Sequence, residues 1–98
     1  MRKYEMLMIL RPATEDTRRE AIIDEIRKFI EDKNGSMTKV DVWGLRKLEY
    51  PIKRENEGQY VVVNFSSGTD IVRDLERNLR MKDEVLRVKT LVIEKEKK

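Results

Sequence analysis

Acid–base and nucleophilic chemistry have few places to sit in this sequence. It contains no histidine and no cysteine. That removes imidazole bases, thiol nucleophiles, disulfides and the zinc sites built from those ligands. Ser66-Ser67 has no histidine partner and reads as part of a turn. The carboxylates alternate with Lys and Arg along helix faces, which is the pattern of solvated pairing. Gly35, Gly44, Gly58 and Gly68 are scattered and make no phosphate-cradling loop. Arg11-Pro12-Ala13-Thr14 supplies an arginine but not the glycine-rich cradle an acylphosphatase would need. The ligands of a metal site are not clustered. No enzyme activity, metal or cofactor is expected.

What remains is charge. Twenty-two Lys and Arg face 19 Asp and Glu, a net charge of +3. The excess is uneven, because residues 36–54 and residues 85–98 each carry about +3. Brought together, those stretches would form a basic surface able to hold phosphate.

Charge must be positioned by a small scaffold. The chain has 98 residues, 39% hydrophobic and 42% charged. It has the length of a single domain with one thin two-layer core. Its apolar runs are too short to span a membrane, and the opening Met1-Arg2-Lys3-Tyr4-Glu5 lacks the apolar run of a secretory signal. A soluble intracellular protein is expected.

Tyr4 to Leu10 reads as a strand, stopped by Arg11-Pro12. Thr14 offers a helix N-cap, and Ile22, Ile26, Phe29 and Ile30 recur at helical spacing up to Asn34-Gly35, whose glycine suits a left-handed stop. A long second strand runs from Met37 to Leu48, with Gly44 suggesting a bulge or a close backbone approach, and Tyr50-Pro51-Ile52 continues extended. Lys53 to Gly58 reads as a polar turn and Gln59 to Phe65 as the third strand. Ser66-Ser67-Gly68 follows as a loop. Thr69 then caps a second helix whose apolar face is Val72, Leu75 and Leu79. Val85 to Ile93 is the last strand, and 94–98 is expected to fray.

The order βαββαβ is the α+β, ferredoxin-like split β-α-β arrangement, covering residues 1–98 as one domain. Right-handed crossovers put both helices on one face of a four-stranded antiparallel sheet, in the spatial order fourth, first, third, second strand. Strand side chains alternate. Tyr4, Met6, Met8 and Leu10, then Val61, Val63 and Phe65, then Val88, Thr90 and Val92 are expected beneath the helices. Leu7, Ile9, Tyr60, Val62, Leu91 and Ile93 are expected on the helix-free face, ringed by Lys3, Glu5, Arg87 and Lys89. An apolar patch rimmed by charge suits a protein partner.

The decapeptide Gly44-Leu45-Arg46-Lys47-Leu48-Glu49-Tyr50-Pro51-Ile52-Lys53 resembles the signature of the bacterial small-subunit ribosomal protein six family. Met1-Arg2-Lys3-Tyr4-Glu5, Arg11-Pro12 and Asp83-Glu84 before Val85-Leu86-Arg87 resemble it too, so the likeness covers nearly the whole chain. The resemblance implies a ferredoxin-like, non-enzymatic protein that binds small-subunit ribosomal RNA as a heterodimer with the eighteenth small-subunit ribosomal protein. It implies phosphate contacts at Arg2, Arg46, Lys47 and Arg87, with Lys53, Arg54 and Lys89 as a second group. Tyr4, Tyr50 and Pro51 read as architectural. Glu49 departs from the family's usual alanine or serine and would repel RNA if that edge faced phosphate.

Two other readings share these residues. One is a single-stranded RNA binder of the RNA-recognition-motif type, for which Tyr60 is the one aromatic candidate on the helix-free face. The other is an engineered scaffold on this fold that no longer binds, or self-associates through its apolar face.

Overall fold

The computed structural model describes residues 1–94 of the chain. The elements are β1 (Arg2–Leu10), α1 (Asp16–Asp32), β2 (Ser36–Ile52), β3 (Glu55–Ser67), α2 (Asp70–Arg80) and β4 (Val85–Glu94). The strands form one sheet in the order β2-β3-β1-β4, with antiparallel pairing throughout. The expected order and fold class are therefore observed. Glu94 pairs with Lys3 at the end of β4, and the remainder of the expected tail, 95–98, lies outside the described residues.

Alternation selects the core. Tyr4, Met6, Met8 and Leu10 of β1 and Val61, Val63 and Phe65 of β3 meet Ile22, Ile23, Ile26 and Ile30 of α1 and Leu75 and Leu79 of α2 in one buried cluster. Both helices thus lie on the same side of the sheet. Ile71 is buried on α2, while Val72 is only partly covered. Val92, expected beneath the helices, is 43% exposed. The cause is length: an 11-residue helix is about 16 Å long, half of what the ten residues of β4 span.

The ends of the helices depart from the sequence expectation. Glu15, not Thr14, occupies the N-cap of α1, and neither helix has a side-chain cap. The β1–α1 loop is held instead by the buried Gln59 amide, which donates to the carbonyls of Pro12 (3.1 Å) and Thr14 (2.7 Å) and accepts from Arg19 (3.2 Å). At the other end of α1, Asn34 takes the left-handed conformation (φ 67°). Gly35 serves close packing: a Cβ there would lie 2.5 Å from the Ser66 carbonyl oxygen. Arg18 of α1 donates to Glu84 at 2.7 Å, just before β4. That contact holds the Glu84 carboxyl below the ordinary glutamate value of 4.5.

β2 and β3 form a long hairpin. β3 starts at Glu55, so the expected polar turn contracts to two residues, Lys53 and Arg54, between the paired Ile52 and Glu55. Both turn residues have positive φ (49° and 69°), the sign required by a type I′ connection. At the far end β3 runs on through Ser66 and Ser67, which pair with Lys3 and Arg2.

Candidate functional site

The helix-free face is built by three strands and partly roofed by the fourth. Between the pairs Lys47–Glu57 and Ile52–Glu55, the four β2 residues Leu48 to Pro51 stand opposite Asn56 alone. Such an excess bends a strand strongly. It carries the decapeptide back over the sheet, where Leu48 packs with Ile9 and Leu86 and against Leu7, Ile52 and Tyr60. A second bulge assists on β4. Ile9 pairs with Arg87 while Leu10 pairs with Val85, which leaves Leu86 as the extra residue on the helix-free side, beside Arg87.

Two expected surface residues are covered. Ile9 is 4% exposed and Val62 6%, against the expectation that both would be bare. Alternation gives the right face for each, but it registers neither the arch packed on Ile9 nor the bulged Trp43 that shares a cleft with Val62. Leu91, beside Leu7, Val62 and Lys89 on the open face, is more than half exposed, as expected; Ile93 is equally exposed, but it is the extra residue of a bulge between Val92 and Glu94, so alternation no longer assigns its face. Leu7 and Tyr60 are intermediate. A cleft of about 290 Å³ remains under the arch, lined by Leu7, Ile9, Leu48, Tyr60 and the cations Arg87 and Lys89. Glu49, the unexpected carboxylate, also lines it.

The cations divide into groups. Arg87 and Lys89 share that cleft, opposite Ile9 and Leu7. Lys53 lies close to Arg87, its ammonium donating to the Val85 carbonyl at 3.1 Å, and Arg54 is exposed in the same turn. Arg46 and Lys47 separate. Arg46 pairs with Gly58, whose Cβ position points at Ile9 of the helix-free face, and alternation sends Lys47 to the opposite side. Arg2 lies at the other end of β1, eight residues and thus about 25 Å from Leu10, the β1 residue at the end of the sheet where the hairpin turn lies. The structure brings Lys53, Arg54, Arg87 and Lys89 together and leaves Arg2 and Lys47 apart from them.

Trp43 was missing from the sequence candidates. It is the extra residue of a bulge at Gly44, which adopts φ 86°. The bulge turns the indole onto the helix-free face, where it stacks on Tyr60 with ring centroids 6.3 Å apart and planes 9° from parallel. The Arg46 guanidinium lies 5.0 Å from the Trp43 ring centroid. A cation over an aromatic face is held by the ring quadrupole and loses little of its hydrogen-bonding capacity. The available signal was Trp43-Gly44 itself, since a glycine bulge re-aims the residue beside it.

No group of three or more potential metal-binding side chains exists among the described residues. The chain's relatives supply the remaining constraint. A family model described as ribosomal protein S6 matches residues 3–92. The chain belongs to the ribosomal protein S6 family. It is 42% identical to the small ribosomal subunit protein bS6 of Alkaliphilus oremlandii over 97% of this chain and 100% of that one. It is 42% identical to the bS6 of Caldanaerobacter subterraneus over 89% of this chain and 92% of that one. The crystal structure of 30S ribosomal protein S6 from Thermotoga maritima superposes with a TM-score of 0.84 at 34% identity, covering 93% of this chain and 86% of that one.

Membership in the S6 family makes this a structural protein of the small ribosomal subunit, found in the cytoplasm and not an enzyme. The decapeptide that carries the resemblance is, in this S6-family chain, the arch over the helix-free face.

Proposed function

We propose that the chain binds small-subunit ribosomal RNA, with the eighteenth small-subunit ribosomal protein docked on its helix-free face. Leu91, Ile93, Leu7 and Tyr60 supply apolar area to the partner, and Ile9 and Val62 back that surface from beneath. Arg46, Arg87, Lys89, Lys53 and Arg54 supply cations to the RNA backbone, and Arg2 and Lys47 supply further contacts outside this cluster. The observation that carries the proposal is the juxtaposition of exposed Leu91 with Arg87 and Lys89 on one strand of the open face. Apolar burial holds a protein, while cations neutralise phosphate and release counterions.

Charge reversal of Arg46 and Lys47 together tests the RNA half. Affinity for a central-domain ribosomal RNA fragment should fall, and its dependence on salt should flatten. Unchanged affinity and slope would remove both residues from the interface. Sedimentation with the eighteenth protein tests the other half: a heterodimer that Leu91→Glu abolishes is expected, and self-association instead would overturn it.

A second reading draws on the Trp43–Tyr60 stack. Two rings and a guanidinium resemble the platforms on which single-stranded bases stack. Loss of binding to unstructured RNA in Tyr60→Ala, with central-domain binding intact, would favour that reading.

A further inference from the structure

Beside the hairpin turn, at the end of the sheet, lies a second cleft of about 430 Å³. Its lining is Lys53, Arg80, Val85, Leu86, Arg87 and Val88. Three cations from three elements face it, namely the β2–β3 turn, the last residue of α2 and β4. No carboxylate lines it.

Each cation is anchored on one side and keeps donors on the other. Lys53 donates to the Val85 carbonyl at 3.1 Å, which uses one of its three ammonium hydrogens. Arg87 donates to the Tyr50 hydroxyl through one guanidinium nitrogen. Arg80 is held by Glu76 of the preceding turn at 3.4 Å, and Glu76 lies outside the lining. A guanidinium has five donors, so both arginines retain several for a ligand. Like charges converging on a cleft that no carboxylate lines repel one another, and a bound anion relieves that repulsion. The volume falls within the roughly 300–1,000 Å³ typical of small-ligand sites.

We infer that this cleft binds a phosphodiester group of the RNA backbone, with Arg80 as a contact residue alongside Lys53 and Arg87. The inference rests on the proposed RNA binding and adds both a site and a residue to it. A free phosphate ion has the same chemistry, so the test must separate the two sources.

The full-length chain with isotope-labelled arginine is titrated with a short oligouridylate and, separately, with inorganic phosphate, following the Nε–Hε signals of Arg80 and Arg87. Both signals should move with the oligonucleotide at concentrations where phosphate alone moves neither. Equal response to phosphate would make this a free-anion site and overturn the inference, as would no response to either. In parallel, Arg80→Gln is compared with Arg73→Gln, an exposed arginine of the same helix outside the cleft. Arg80→Gln should weaken binding of the central-domain fragment about three- to tenfold and lower the salt slope by about 1, with Arg73→Gln near wild type. Equal effects of the two variants would overturn the assignment of Arg80. A wild-type chain that shifts with oligouridylate but does not bind the ribosomal fragment would retire the ribosomal RNA reading and leave the phosphodiester site standing.

Discussion

The Arg87 guanidinium donates to the Tyr50 hydroxyl, and that contact joins the two outermost strands of the sheet, β2 and β4, across its open face. Neither strand touches the other in the ladder. The bond exists because the β2 bulge carries Tyr50 over β3 and β1. It holds the arch down and aims Arg87 at the same time.

Breaking this contact should cost stability that depends on both partners. In a double-mutant cycle of Tyr50→Phe and Arg87→Met, urea unfolding should give a coupling of about 1 kcal/mol. Additive losses would mean that the bond contributes nothing in solution.

Arg46 and Lys47 are neighbours in sequence that alternation sends to opposite faces of β2. One RNA surface cannot engage both equally. Arg46→Ala should therefore weaken RNA binding measurably more than Lys47→Ala in the same titration, because Arg46 shares a face with Arg87 and Lys89. Trp43→Ala should reproduce part of the Arg46 loss by releasing the guanidinium. Equal losses from Arg46→Ala and Lys47→Ala would place the RNA at the strand edge instead.

Gly58 leaves room for Ile9. A Cβ at that position would lie 2.4 Å from Ile9 Cγ2 and 3.1 Å from the Leu10 carbonyl oxygen. Gly58→Ala should destabilise the fold by about 1–3 kcal/mol, the usual range for overpacking. Ile9→Ala should recover part of the loss when combined with it. Denaturation of the three variants checks this, and a Gly58→Ala chain as stable as wild type would show that the arch shifts freely.

Acid should loosen the join between α1 and the start of β4. Glu84 has its carboxyl lowered, first by the hydrogen bond from Arg18 and then by a bond to its own backbone. A lowered folded value means that the contribution is complete above the ordinary value of 4.5 and is lost as pH falls through the folded one. The stability difference between wild type and Glu84→Gln should be constant from pH 7 to about 5 and shrink below 4.5. A difference that is the same at pH 3 and pH 6 would remove Glu84 from the acid response.

Period-two alternation made much of this legible in advance. Tyr4, Met6, Met8 and Leu10 could only face one way, because Lys3 and Glu5 could not lie beneath helices. Val61, Val63 and Phe65 followed from Asn64 by the same reasoning. The strand order followed from crossover handedness. What escaped was most of the places where one side chain or one extra residue overrides a local rule, and the consequence of the bulge at Gly44 for Trp43. Gln59 pins the loop before α1, so Thr14 is not needed as a cap. Lys53 and Arg54 make a tight turn without the glycine or asparagine that would announce it. Leu86 and Trp43 are displaced by bulges, and a bulge shifts every face assignment around it by one. The cation candidates came from family likeness, and proximity in sequence did not translate into a shared surface for Arg46 and Lys47.

The chain carries one tryptophan, and the bulge at Gly44 sets it half in water on the open face, stacked on Tyr60. The ultraviolet emission of the whole molecule thus originates largely from a single spot beside Arg46. Wavelength and intensity there respond to local wetting and quenching, whereas the buried layer under the helices contributes no indole at all. Whatever settles on that spot writes its arrival into the native spectrum, with no dye attached.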